Sequence, residues 1–96
     1  MMTAEPGSLD EVRARIDGLD AELVRLLARR QRMVEVAARF KVDEQAVRDP
    51  GRVERVIEGV VRLAAEKGLS PAVAEAVWRA MIGAFVDLEL DEHRRA

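Results

Sequence analysis

Cysteine is absent from the 96-residue chain, which excludes a disulfide framework or a thiolate metal site and suits a cytoplasmic location. Aromatic side chains are almost absent too: one Trp, two Phe and no Tyr. Any core is therefore aliphatic. Proline occurs only at Pro6, Pro50 and Pro71, so no helix breaker of that kind lies between the first two. Neither sign of charge dominates, since 16 basic residues face 18 acidic ones for a net charge of −2. A nucleic-acid binder needs a concentrated basic stripe, and that class is excluded. No apolar run approaches the roughly 20 residues of a membrane span, and the opening residues show no signal-peptide pattern. The spacing also offers no metal site, nucleophilic triad or glycine-rich phosphate loop, so no metal and no cofactor are expected.

What is present is helical amphipathicity. With 49% hydrophobic and 35% charged residues, the composition is that of a single small soluble domain near the lower limit for a self-sufficient core. Residues 1–7 read as a disordered lead, 8–93 as one helical domain and 94–96 as a tail. Ser8-Leu9-Asp10-Glu11 is a capping-box pattern, with Glu11 reaching back to the cap amide. From there helical periodicity continues to Lys41. Leu9, Val12, Ile16, Leu19, Leu23, Leu26, Met33, Ala37 and Phe40 follow in steps of three and four, a coiled-coil-like seam on a helix roughly 50 Å long. Two shorter helices cannot cover such a helix, so a homodimer with packed long helices is expected. Val42 to Arg48 breaks the period and reads as a polar loop. Asp49-Pro50 and Ser70-Pro71 then each start a helix. The second carries Val53, Val56, Ile57, Val60, Val61 and Ala64 and stops at Gly68. The third carries Val73, Val77, Met81, Ala84, Phe85 and Leu88 and runs to about Glu92. The expected fold is all-α: one long and two medium helices, intertwined in a homodimer.

The seam has one defect. Between Leu26 and Met33 the rhythm asks for an apolar residue, and the chain supplies Arg30. An unpartnered buried guanidinium costs several kcal/mol. One reading is an internal ion pair or a device that sets helix register; the other is an arginine that binds an anion in a cavity. Lys41 favours the second. Eleven residues on, it would stand only about 20° around the same helix, so both cations could converge on one ligand. Arg13 lies too far along to join them within one chain, but the Arg13 of a partner could. Glu89 sits at the edge of the third apolar stripe, within the acidic run Asp87 to Glu92. It is either solvated or faces the pocket, where desolvation would favour a protonated, hydrogen-bond-donating form. His93, in the basic tail, reads as solvated, and Trp78 as packing.

These positions carry a resemblance. Arg13-Ala14-Arg15-Ile16-Asp17-Gly18-Leu19-Asp20, then Leu23, Leu26-Leu27 and Arg29-Arg30, is similar to the first helix of the helical (AroQ-class) chorismate mutases. So are the spacing to Lys41 and the turn Val47-Arg48-Asp49-Pro50, and the likeness extends from about Leu9 to Glu92. It implies an intertwined homodimer with two sites, each built from both chains, that binds a small dicarboxylate. Arg30 would clamp one carboxylate and the partner's Arg13 the other. Lys41 would lie against the ether oxygen of the breaking bond, Glu89 would donate to it from the opposite side, and Asp49 would lie near the ring substituent. A pericyclic rearrangement needs only a folded substrate and fixed charge at that oxygen.

Two positions depart from the mutase pattern. Val53 stands where the mutases have a glutamate for the ring hydroxyl, and the adjacent Glu54 points roughly 100° away on an ideal helix. Phe85 replaces a small hydroxyl residue. Ala37-Ala38-Arg39-Phe40-Lys41 with Arg52-Val53 is closer to the branch of isochorismate–pyruvate lyases and 4-amino-4-deoxychorismate mutases. Three functions follow as expectations: a mutase acting on chorismate or its 4-amino analogue, a lyase releasing pyruvate from isochorismate, or a non-catalytic helical dimer or interaction module.

Overall fold

The computed structural model describes residues 4–95, in which all regular structure is helical: α1 (Leu9–Ala38), α2 (Glu44–Arg48), α3 (Pro50–Lys67) and α4 (Pro71–Arg95). Met1 to Thr3 of the expected lead and Ala96 of the expected tail lie outside the described residues. The chain divides into two compact units, one ending at Met33 and the other beginning at Val34.

The first unit is α1 up to Met33. Ser8 Oγ accepts the Glu11 amide at 3.1 Å, as the capping box requires. The Glu11 carboxylate instead accepts the amide of Gly7 at 2.6 Å, one residue further out than expected. Asp10 and Glu11 also place negative charge at the positive end of the helix dipole. No residue of α1 is buried. Leu9, Ile16, Leu19, Leu23, Leu26 and Met33, all on the expected seam, are 48–64% exposed.

In the second unit α1 ends at Ala38, three residues short of the expected Lys41. The amides of Arg39, Phe40 and Lys41 bond three residues back, to Val36, Ala37 and Ala38, so the chain tightens as it leaves the helix. Asp43 supplies the reason for the break. In extended conformation, its Oδ1 accepts the Ala46 amide at 2.8 Å and starts a new helix. Phe40, assigned to the seam, is off the helix and 81% exposed. The segment expected as a loop contains α2, whose Val47 is buried. A single anchor in five residues leaves no period to detect.

Asp49 ends α2 and caps α3. Its φ of 26° is in the left-handed region that disfavours a side chain, while its amide bonds Gln45 and its Oδ1 accepts the Arg52 amide at 3.1 Å. Gly68, at φ 80°, closes α3, and the Ser70 hydroxyl accepts the Val73 amide to start α4. α3 and α4 pack together, with Ile57 and Ala64 buried on one and Ala74, Ile82 and Leu90 on the other. The stripe expected to be buried on α4 is displaced: Val73 and Val77 are about half exposed, and the inward line is Ala74, Ile82 and Glu89. α4 is thus apolar on two faces, which a search for one stripe cannot resolve. It also continues through Arg95, so Arg94 is helical rather than tail, and His93 is half-buried rather than solvated.

Arg79 crosses between the two helices. It donates to both oxygens of Glu54, at 2.9 and 3.0 Å, and to Glu75 at 3.0 Å. Its hydrogen bonds hold the Glu54 carboxyl below the ordinary 4.5.

Ile57→Ala should cost roughly 2–4 kcal/mol in urea unfolding, because it opens a cavity between α3 and α4. Glu54 is depressed in the folded chain, so its contribution is full above its unfolded value and fades as pH falls through the folded one. Thermal melts of Glu54→Gln should therefore fall slightly below wild type at neutral pH, the pair being half exposed, and the difference should shrink as the medium is acidified.

Candidate active site

A carboxylate lies at a core position of α4. Glu89 follows Ile82 by two turns on the inward face and is 4% exposed. A packing residue there would be aliphatic, since a buried carboxylate is unfavourable unless paired. The turn after α1 brings it a partner from 48 residues away, the ammonium of Lys41. Nζ lies 2.8 Å from Oε2 and 3.2 Å from Oε1. Only the contact to Oε1 has hydrogen-bond geometry. Oε2 is therefore in ionic contact but accepts no hydrogen bond from the described residues, which leaves a buried acceptor site facing the ammonium. Lys41 itself is 29% exposed along its side chain, far more than its partner.

In the first unit, Arg30 is half-buried while most of α1 is exposed. It lines an open depression of about 340 Å³ with Leu26, Arg29, Arg32 and Met33. Three guanidinium groups with two apolar side chains form a cationic, partly greasy surface suited to an organic anion. Arg30 stands out in the sequence by its break in the seam. Arg32 does not, because an arginine on a helix ordinarily reads as solvated. Arg13 is exposed on the same helix, about 25 Å from Arg30 by helical rise, and cannot serve the same depression within one chain.

The remaining expected site residues belong to the second unit. Phe85 is half-buried one turn before Glu89, and Val53 is half-buried in the first turn of α3. Asp49 is exposed, with one carboxylate oxygen engaged as the cap of α3. Glu54, next to Val53, is held by Arg79 on the outer surface and supplies no carboxylate in its neighbour's place. Because the helix ends at Ala38, Lys41 does not share a helical face with Arg30, and the expected 20° relation is replaced by the turn that carries Lys41 to Glu89.

Residues 12–90 match the family Chorismate mutase type II. The chain belongs to this family. It is an enzyme of the chorismate mutase type, which sets aside the reading as a non-catalytic module. Among curated proteins, the isochorismate pyruvate lyase of Pseudomonas aeruginosa is 33% identical over 78 residues, covering 81% of this chain and 77% of that protein. A chorismate mutase-type pericyclic enzyme requires fixed charge and a shaped surface rather than a nucleophile, and this chain's cations and the buried Glu89 are groups of that kind.

Lys41→Met should destabilise the fold by about 3 kcal/mol, since it strands the Glu89 carboxylate, whereas Lys41→Met with Glu89→Leu should return to within about 1 kcal/mol of wild type. Equilibrium urea unfolding of the two variants measures the difference.

Proposed function

We propose that this chain is a homodimeric mutase that rearranges a chorismate-type dicarboxylate, chorismate or its 4-amino analogue, by a [3,3] shift. The enolpyruvyl ether C–O bond breaks while a C–C bond forms to the ring. The observation that carries the reading is the ammonium of Lys41 aimed by a buried carboxylate, in a member of this family. As the ether bond breaks, negative charge grows on its oxygen, and a fixed ammonium there lowers the barrier more than it stabilises the bound substrate. Arg30 holds one substrate carboxylate and the partner subunit's Arg13 the other, which keeps the side chain folded over the ring. Glu89 accepts from Lys41 and holds its ammonium toward the ether oxygen. Asp49, Val53 and Phe85 meet the ring and its substituent. The reaction uses no metal and no cofactor.

The exposed apolar seam of α1 supports the dimer, because a second copy of the same seam is its natural cover. The second apolar face of α4, with Val73 and Val77, supports it as well. No helix among the described residues is long and apolar enough to cross a membrane, and the proposed site of action is the cytoplasm.

A second reading has specific support. The lyase relative, together with Val53 and the engagement of Glu54 by Arg79, favours elimination of pyruvate from isochorismate to leave salicylate. Both reactions break the same ether bond and call for the same cation.

Chorismate, isochorismate and 4-amino-4-deoxychorismate, each incubated with pure protein and followed by product identification, decide between the two. Prephenate-type products support the mutase and salicylate the lyase; consumption of none overturns both. Arg30→Leu and Lys41→Ala should each lower kcat/KM by about 10²-fold or more, with sedimentation still reporting a dimer. Glu89→Gln, which takes the counter-charge from Lys41, should lower kcat about tenfold. Unchanged turnover would remove Glu89 from the chemistry.

A further inference from the structure

Two ion pairs tie the segment between α1 and α3 to α4, and their polarity alternates. Lys41 meets Glu89; three residues on, Glu44 Oε1 accepts from Arg94 Nε at 2.5 Å, five residues further along α4. We propose that Glu44 and Arg94 are positioning residues that set where the Lys41 ammonium stands. This rests on the reading of Lys41 as the cation at the breaking ether bond.

The argument begins with α2, which has five residues and cannot persist on its own hydrogen bonds. It is held to α4 by the buried Val47 and by the Glu44–Arg94 pair. One apolar anchor fixes a separation but leaves the segment able to pivot and slide, whereas a hydrogen-bonded ion pair adds direction. Only Val42 and Asp43 separate Glu44 from Lys41, and Asp43 is extended, so a displaced α2 carries Lys41 with it. The alternation of sign disfavours a slip toward the end of α4. A shift of one turn that way would bring Lys41 toward Arg94, cation against cation. The hydrogen bond from Arg94, aided by Arg48 and His93, holds the Glu44 carboxyl below the ordinary 4.5, so the pair is charged throughout the neutral range. Both side chains are about half exposed, at 44% and 56%, and such a pair adds little to global stability. What it controls is where the segment sits.

The test uses Glu44→Gln, Arg94→Gln and the exchanged pair Glu44→Arg with Arg94→Glu in the full chain. Each single variant should lower kcat about tenfold with KM nearly unchanged, because a cation that acts on the transition state is displaced while the carboxylate clamps are not. The exchanged pair should recover most of the loss, with melting temperatures close to wild type throughout. Hydrogen–deuterium exchange at the α2 amides of Ala46, Val47 and Asp49 should rise in the single variants and fall again in the exchanged pair. This arm needs no substrate, so it judges the clasp even if the wild type converts none of the three compounds. Unchanged exchange overturns the clasp. Raised exchange with kcat intact overturns its role in positioning Lys41, as does a loss of kcat that the exchanged pair fails to restore.

Discussion

A carboxylate taken out of water must be given a cation, and in this chain that requirement links distant segments. Glu89 lies on the face of α4 that would otherwise be aliphatic, and Lys41 reaches it from the turn after α1. Removal of either partner leaves the other in an unfavourable environment, whereas removal of both restores an ordinary core. The turn, α2 and α4 are therefore coupled by electrostatics as well as by apolar contact. The same coupling holds an ammonium at a fixed place, which suits an enzyme whose reaction only redistributes charge.

The apolar surface is arranged on similar terms. α3 and α4 satisfy each other through small and branched side chains, but the seam of α1 and one face of α4 remain open within the described residues. A chain with so few aromatic residues has little with which to close such surfaces by itself. In the proposed dimer, stability and the making of the site would draw on one source, a second copy of the chain.

Much of the fold was legible in the sequence because its signals are local. Asp49-Pro50, Gly68 and Ser70-Pro71 mark helix ends through chemistry confined to one turn, and the structure has a helix end at each. Arg30 was legible as a break in a strong period. The end of α1 was not, because Lys41 continues the rhythm while Asp43 starts a competing helix two residues later. α2 is too short to leave a periodic trace, and the burial of Glu89 depends on a partner 48 residues distant. The inward face of α4 was displaced because two apolar faces share one helix. Only the burial of Glu89 is a matter of non-local pairing; the other differences come from local signals that compete or are too short to show a period.

Asp49 stands as the C-cap of one helix and the N-cap of the next, in a backbone conformation that few side chains adopt. The junction consequently has no slack. Inserting or deleting a residue there would rotate α3 by about 100° relative to α2. Length changes in a lineage of such chains would then have to be absorbed elsewhere, as at the Gly68–Ser70 turn, where a glycine already relieves the backbone.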